Sequence, residues 1–327
     1  MKSISVIMAT LNSGATLGAC LKSLRDQNYD QGLIEIILAD GGSKDNTLEI
    51  AEKYGARTIF ENTGSPEAAK AIALKNARNE IVFEIDDDNV LPDKNWLAEM
   101  ISVFEKEPGI TGCYPWRYRW QKEDKILNRY FALFGANDPV AWFLGKTDRQ
   151  SYLSDKYALA GRAQDKGDYF LVEFNEENLS TVGANGFLIR REILMKAQVD
   201  PDRFFHIDVN LDLVRQGFNQ YAVVKNDIVH ASGENFGKFF QKRWRYLSEL
   251  YLRDFSQRRY FLFRPQKDKL KIAGFSVYAL SIILPTLDSF RGYLKKPDSA
   301  WFLHPLVCFL MFWLYFFAVI KKLFRPL

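Results

Sequence analysis

The fold is indicated by one stretch, Glu84-Ile85-Asp86-Asp87-Asp88-Asn89, which follows the apolar run 81–83. Such a run is typical of a buried strand, and three carboxylates then stand at its C-terminal end. Carboxylate oxygens bind hard divalent cations, and ligands of parallel sheets bind beyond the carboxyl ends of the strands. The stretch therefore predicts a cation-assisted phosphate site at a sheet edge. The triplet alone leaves an acidic surface turn open as the alternative.

Composition and charge limit the classes of protein to which the chain can belong. With 327 residues, of which 47% are hydrophobic and 26% charged, the chain can bury a large core in one large domain or two. The formal net charge is +4, but residues 238–271 alone carry +8, so the rest of the chain stands at −4. This basic segment predicts contact with an anionic surface.

The cysteines and the N-terminus both indicate a reducing compartment. Cys20, Cys113 and Cys308 are far apart and lack metal-type spacing, so we expect inert thiols. The chain begins with a strand-like run that is too short and too β-branched for a secretory signal. We therefore expect the N-terminal part to lie in the cytosol.

Strand-like and helix-like stretches alternate through the first hundred residues. This order predicts parallel βαβ units in an α/β sheet covered on both faces. The polar residues that follow the first, second and fourth strands, among them Thr10, Asp40 and Asp86, are expected to meet in one crevice. The predicted strands are 4–9, 34–39, 58–60 and 81–85, and the predicted helices are 15–24, 46–54, 66–77 and 93–104.

Two common phosphate cradles are missing from the sequence. No Gly-x-Gly-x-x-Gly follows the first predicted strand, and no Gly-x-x-x-x-Gly-Lys-Ser/Thr occurs anywhere. Dinucleotide-binding and P-loop folds are therefore disfavoured, and a metal ion would have to hold the phosphates.

Three motifs carry a resemblance to a known family. They are Ala9-Thr10-Leu11-Asn12, Asp40-Gly41-Gly42-Ser43-Lys44-Asp45-Asn46-Thr47 and Asp86-Asp87-Asp88, with Lys70 sixteen positions before the last. In this order and spacing the chain, over roughly residues 3–232, resembles the family 2 glycosyltransferases. The resemblance implies a GT-A fold, which is a Rossmann-like mixed α/β sheet, and inverting transfer of a sugar from a nucleotide-diphosphate donor.

The same resemblance implies roles at the donor side. Asp40 would bind the base and Asp86 the ribose, while Asp88, with Asp86 beside it, would hold the Mg²⁺ or Mn²⁺ that bridges the diphosphate. Two alternatives stay open: Asp40 could be a turn or helix-capping aspartate, and Lys70 an ordinary solvated helix lysine. The donor-binding residues implied are Thr10, Asn12, Asp40, Lys70, Asp86 and Asp87.

Two further features belong to the same resemblance. Segment 181–192 is similar to the family's glycine motif on the acceptor side, where Asn185 and Gly186 would lie. His230 ends a strand-like run, at a place where some relatives have a metal-binding histidine. A packed side chain is the alternative for His230, and His206 and His304 have no comparable support.

The catalytic base is expected in segment 204–215, which resembles the family's Glu-Asp-x-Asp-Leu motif. Only Asp208 matches the position of the base, because Ile207 and Asn210 replace the other two acids. A carboxylate here could take the proton of an acceptor hydroxyl, with Asp212 as second choice. A helix-capping role for Asp208 is the alternative. A lipid phosphate acceptor, already ionised, would need no base.

The remaining segments are predicted to shape the acceptor side and to attach the chain to a membrane. Residues 114–180, rich in aromatics, are expected to form an insertion at the acceptor pocket, although core or membrane packing is the alternative for most of them. Residues 236–271 predict basic amphipathic helices lying on anionic headgroups. The apolar runs 272–287 and 301–320 predict a membrane hairpin with cytoplasmic flanks, the first run short and interrupted by Pro285.

Together these patterns predict a GT-A domain over residues 1–235, juxtamembrane helices over 236–271 and a membrane hairpin over 272–327. We expect an integral, cytosol-facing enzyme that moves a sugar to a hydroxyl of a lipid-linked glycan. A polyprenyl phosphate acceptor and a non-catalytic scaffold are the alternatives. The expected partners are the nucleotide sugar, the lipid-linked acceptor and membrane lipids, without nucleic acid.

Overall fold

The structure is a computed structural model that describes residues 1–231, 235–251, 258–263 and 267–324. The chain divides into two compact units. Met1–Arg119 and Ala160–Ser232 form what we call the sheet unit, and Trp120–Leu159 and Gly233–Leu327 form the helical unit.

Strands and helices alternate at first and helices dominate later. The strands are β1 Ile4–Thr10, β2 Ile34–Asp40, β3 Arg57–Phe60, β4 Ile81–Glu84, β5 Asn89–Val90, β6 Gly112–Tyr118, β7 Arg162–Asp165, β8 Tyr169–Glu173, β9 Phe187–Arg190 and β10 Gln220–His230. The helices are α1 Leu17–Arg25, α2 Thr47–Lys53, α3 Pro66–Lys75, α4 Trp96–Lys106, α5 Ile126–Phe134, α6 Pro139–Phe143, α7 Arg191–Leu194, α8 His206–Arg215, α9 Phe236–Arg245, α10 Lys269–Ser281, α11 Ile283–Lys295 and α12 His304–Phe324.

The sheet unit is built on one mixed sheet with the order β3-β2-β1-β4-β9-β6-β10-β8-β7, and β5 pairs with β10. The first four strands are parallel, as the alternation predicts. Strand β9 then runs antiparallel between β4 and β6, so the sheet is mixed. The side chains of β4 are fully buried, because a strand inside a covered sheet has both faces packed. Its carboxyl end therefore opens onto the edge where the acidic triplet lies.

The aromatic stretch 114–180 is not one insertion, and that predicted boundary is wrong. Tyr114 and Tyr118 lie on β6, in the middle of the sheet, and β8 is also a sheet strand. Only Trp120–Leu159 joins the helical unit. Aromatic side chains with strand periodicity pack inside the sheet as readily as they line a pocket, which is why composition misplaced the boundary.

The helical unit has its own core of aromatic and aliphatic side chains. Phe134 of α5 packs edge-on against Trp301 at 4.8 Å and stacks on His304 at 3.9 Å between ring centroids. His304 is fully buried and is hydrogen-bonded to the hydroxyls of Tyr130 at 2.9 Å and Tyr278 at 3.0 Å. This histidine therefore has a packing role. The core residues of this cluster are Leu127, Tyr130, Phe131, Leu133, Phe134, Phe239, Ala300, Trp301, Val307 and Met311.

The C-terminal helices include one candidate membrane span. Among the described residues, one helical stretch, Ser299–Lys321, is long and apolar enough to cross a membrane, and only 28% of its most apolar window is buried. The shorter run is not one helix: α10 and α11 meet at Ile282 with a bend of 78°. Ile282 has a φ of 57°, which ends one helix before Pro285 and starts another. Of the basic segment, α9 is a helix with three of its four basic side chains, Lys242, Arg243 and Arg245, in the last turn, whereas 252–257 and 264–266 lie outside the described residues.

Candidate active site

The acidic triplet occupies a tight turn between β4 and β5. Asn89 is fully buried and ties the turn together, because its Oδ1 accepts from the backbone amide of Asp86 at 3.2 Å and its Nδ2 donates to Oδ1 of Asp88 at 3.3 Å. Asp86, Asp87 and Asp88 all remain partly exposed. The turn thus presents carboxylates at the carboxyl end of β4, as the sequence predicts.

Lys70 of α3 forms an ion pair with Asp86. The distance from its Nζ to Asp86 Oδ1 is 2.7 Å, and only 5% of the lysine side chain is exposed. Burial disfavours the ammonium, but Asp86, followed by Glu67 and Glu84, raises the pKa of Lys70 above its ordinary value. The alternative of a solvated helix lysine is therefore wrong. A permanent positive charge stands behind the triplet.

His230 faces Asp88 from the other side of the turn. The pairing of β10 with β5 places His230 opposite Asn89, and its Nε2 lies 3.5 Å from Asp88 Oδ2. The imidazole stacks on the ring of Tyr118 at 5.3 Å, so packing and ligand placement occur together. Among the residues that the structure describes, no three His, Cys, Asp or Glu side chains are arranged to hold a metal. Asp88 and His230 are thus a two-residue pair, while Asp86 is directed to Lys70.

The acceptor-side residues of the resemblance lie next to this pair. Asn185 has a φ of 54°, and its Nδ2 donates to the hydroxyl of Tyr118 at 3.2 Å. Gly186 has a φ of 94°, which favours glycine, and a Cβ there would stand 2.7 Å from Ile228 Cδ1, so the end of that side chain would have to move. A line of contacts therefore runs from Asn185 through Tyr118 and His230 to Asp88.

Asp40 is enclosed by its own turn. Its Oδ2 accepts from the backbone amides of Gly42 at 3.0 Å and Ser43 at 2.8 Å, and its Oδ1 accepts from the hydroxyls of Ser43 at 2.5 Å and Thr10 at 3.1 Å. The residue is 2% exposed. This is the turn-aspartate arrangement that the sequence left open.

Asn12 joins the first loop to the second. It has a φ of 52°, its amide donates to Ser43 Oγ at 2.8 Å, and its Oδ1 accepts from the amide of Lys44 at 2.9 Å. Asp45 completes the joint by accepting from the amide of Gly14 at 2.9 Å. The loops after β1 and β2 are therefore held as one rim.

Asp208 lies in the first turn of α8 and is 1% exposed. Phe205 holds the N-cap position of this helix, so Asp208 stands inside the first turn and not at the N-cap that the alternative reading gave it. Asp212, one turn later, is partly exposed and accepts from the amide of Gln198 at 3.5 Å. Asn210, which replaces the second acid of the motif, is buried and bonds to Tyr221 and the carbonyl of His206.

The family is established by comparison with known proteins. Residues 5–194 match the model of glycosyl transferase family 2, which is more than half of the chain. The chain belongs to this family. This confirms the resemblance drawn from the three motifs.

Two individual family 2 relatives share 36% and 33% sequence identity with parts of this chain. The uncharacterized glycosyltransferase YfnE of Bacillus subtilis (strain 168) is 36% identical over 236 residues, which covers 66% of this chain and 58% of YfnE. The poly(ribitol-phosphate) beta-N-acetylglucosaminyltransferase TarS of Staphylococcus aureus (strain Mu50 / ATCC 700699) is 33% identical over 112 residues, 32% of this chain and 19% of TarS. The match thus spans between a fifth and three fifths of these two relatives.

One solved structure supports the fold. The mannosyltransferase PcManGT of Pyrobaculum calidifontis, in complex with GDP-Man and Mn²⁺, aligns over 100% of this chain and 88% of its own, with a TM-score of 0.53 and 14% identity. The predicted GT-A fold of family 2 is confirmed.

Three charged residues of this site, Glu67, His206 and Glu84, were not identified as site residues from the sequence. Glu67 forms an ion pair with His206 at 2.8 Å, and Glu84 is buried at the end of β4. Burial raises the pKa of Glu84 to about 7, against the lowering effect of Lys70. Two signals were available: Glu84 is a charge inside an apolar run, and Glu67 lies three residues before Lys70 in a helical stretch.

Proposed function

We propose that this family 2 member transfers one sugar, with inversion, from a nucleotide-diphosphate donor to a hydroxyl of a lipid-linked glycan. The observation that carries the proposal is the pairing of each outer carboxylate of the triplet with a residue distant in the chain. Asp86 is paired with Lys70, and Asp88 faces His230. An acidic surface turn would have no need of a buried lysine behind it.

The donor set at Asp88 and His230 fits a divalent cation. Mg²⁺ and Mn²⁺ need one or two protein ligands when phosphates and water fill the other positions, and the two side chains are 19% and 14% exposed, within reach of a ligand. Asp88 and His230 would hold this ion, which when bound would neutralise the negative charge of the departing diphosphate. Asp86, anchored through one oxygen to Lys70, would accept from a ribose hydroxyl with the other.

Asp208 would act as the base. An acceptor hydroxyl loses its proton as it attacks the anomeric carbon, and a carboxylate within hydrogen-bond reach can take that proton. Attack opposite the leaving group in a single displacement inverts the configuration. Asn185 and Gly186, on the loop before β9, would lie beside the acceptor.

The helical unit would provide the membrane attachment and the sheet unit the chemistry. Twenty-three residues from Ser299–Lys321 span about 35 Å as a helix, enough for the ~30 Å hydrocarbon layer. Large apolar side chains on its surface, such as Phe316 and Phe317, are 43% and 52% exposed, which a bilayer would cover. We expect the chain to stay in the membrane fraction after alkaline carbonate extraction, with the sheet unit on the cytoplasmic face.

The test is donor turnover in the full chain, in detergent with a lipid-linked acceptor, over a panel of UDP-, GDP- and dTDP-sugars with Mn²⁺. Asp208→Asn then separates the two acceptor classes. Loss of transfer by about 10²–10⁴-fold with intact donor binding supports the hydroxyl acceptor. Unchanged transfer supports polyprenyl phosphate, an alternative favoured by the loss of two motif acids at Ile207 and Asn210. No turnover with any donor would support the non-catalytic scaffold instead.

A further inference from the structure

Helix α3 presents two opposite charges, one turn apart, to two different parts of the site. Lys70 pairs with Asp86 of the acidic triplet at 2.7 Å. Glu67, three residues earlier, pairs with His206 at the start of α8 at 2.8 Å. Residues three apart on a helix share a face, so one face of α3 contacts both the donor-side turn and the helix that carries Asp208.

Glu67 supplies the cap that α8 lacks. Phe205 precedes the helix and has no side-chain acceptor, so the first amides of α8 need a partner from elsewhere. One oxygen of Glu67 accepts from the backbone amide of His206 at 3.0 Å, and the other lies 2.8 Å from the imidazole Nδ1. A carboxylate at a helix N-terminus is also favoured by the helix dipole. Two bonds from one carboxylate thus fix the turn in which Asp208 lies.

The charges favour a protonated His206. Burial opposes the imidazolium, but the Glu67 carboxylate raises the pKa of His206 above its ordinary value. Burial would raise the pKa of Glu67, but the charge of His206, followed by its hydrogen bond and by Lys70, lowers that pKa to about 2. The charged groups facing the imidazole are Glu67 and Lys70 on α3 and Glu84 on β4, and Asp208 follows on its own helix.

We propose that Glu67 and His206 are positioning residues for Asp208, and that their ion pair fixes the first turn of α8 so that the Asp208 carboxylate meets the acceptor. The inference rests on the proposed role of Asp208 as base. A His206 with a raised pKa holds its proton at low pH and loses it as the pH rises through that pKa. The Glu67–His206 ion pair should therefore weaken on the alkaline side, and kcat should fall with it.

The test is Glu67→Gln in the full chain, with the donor that the wild type turns over. Glutamine keeps an oxygen for the His206 amide and removes the charge. We expect kcat to fall about 10–100-fold with donor KM within about twofold, as for a group that orients another. The alkaline limb of kcat should move to lower pH by about one unit or more, because the imidazolium has lost its opposite charge. Glu49→Gln, an exposed acid in the first turn of α2, is the control and should leave both unchanged.

A second measurement follows the imidazole itself. With ¹³C-labelled histidine, the chain gives three histidine signals, and His206→Asn identifies the one from His206. This signal should titrate at lower pH in Glu67→Gln. An unmoved titration, or a kcat profile whose limb stays in place, would overturn the inference while leaving the proposed function intact. If the wild-type chain shows no turnover, the proposed function itself is contradicted, and this inference with it.

Discussion

Two aspartate turns, at Asp40 and at Asp86–Asp88, lie at the ends of β2 and β4, the strands on either side of β1, and look alike in sequence, yet they are built differently. Asp40 receives four hydrogen bonds, three of them from the two residues that follow within its own loop. The triplet instead contacts Lys70, sixteen residues before it, and His230, far along the chain. The Asp40 carboxylate holds its own loop in shape, whereas Asp86 and Asp88 face a lysine and a histidine from other elements of the fold.

A strand-end acid is a candidate for chemistry when its partners come from other elements of the fold. Gly42 and Ser43 let the chain fold back so that its amides reach Asp40, and this satisfies the carboxylate locally. In the triplet, Asn89 takes up the turn hydrogen bond from the amide of Asp86. The Asp86 carboxylate then pairs with the Lys70 cation, and the second oxygen of Asp88 faces the His230 imidazole while its first accepts from Asn89.

Removing Asp88 should have the largest effect. Asp88→Ala deletes the carboxylate that faces His230, and loss of several kcal/mol of charge stabilisation corresponds to a fall of about 10³-fold in kcat/KM. Steady-state turnover of the donor at saturating Mn²⁺ measures it. Asp202→Ala, an exposed loop aspartate, is the matched control. Turnover in Asp88→Ala within tenfold of the wild type would break the contrast between the two turns.

Removing the charge of Lys70 should mainly cost stability. Lys70→Met leaves Asp86 without its partner cation. Breaking a fully buried pair typically costs about 3–5 kcal/mol, and because the Asp86 side chain is 33% exposed we expect a smaller loss of about 2–3 kcal/mol. The free energy of unfolding, from denaturant titration in detergent, is the measurement. Lys75→Met on the same helix removes an exposed pair with Asp200 and should change it by less than about 1 kcal/mol. Equal losses in the two variants would show that Lys70 has no special place behind the triplet.

Much of this arrangement could be predicted because it is local. The parallel strands and the acids at the ends of β2 and β4 follow from short patterns, and the place of Lys70 follows from the family resemblance. The observed β1 to β4 agree with the predicted runs within a residue or so. The pairing of Glu67 with His206 joins residues 139 apart, which no local pattern encodes. Pro285 was the one residue that indicated the helix break at Ile282, because the run itself is uniformly apolar. The aromatic residues of β6 were misplaced because their composition does not separate sheet core from pocket.

Replacing His230 should weaken the metal pair without abolishing it. His230→Gln keeps a polar group of similar reach but loses the imidazole nitrogen beside Asp88. A change at a metal site of this kind is expected to weaken the apparent Mn²⁺ affinity about 10–100-fold. Turnover as a function of Mn²⁺ concentration measures it, with His304→Gln unsuitable as a control because that residue is buried in the helical unit. Lys225→Gln, a partly exposed side chain on the same strand, serves instead, and an equal shift in both variants would contradict a ligand role for His230.

The smallest effect is expected at Asp40, and it decides how far the contrast extends. Asp40→Asn keeps one acceptor oxygen but turns an amide group toward the donors of Gly42 and Ser43, so the free energy of unfolding should fall by about 1–2 kcal/mol. Asp30→Asn, which changes an exposed turn with one such bond, should cost only a few tenths. If Asp40 only shapes the rim, donor KM stays within about threefold once the folded fraction is matched. If the carboxylate also binds the base, as the family resemblance implies, donor KM rises by more than this in addition to the loss of stability, and the two turns then share one task in spite of their different hydrogen bonding.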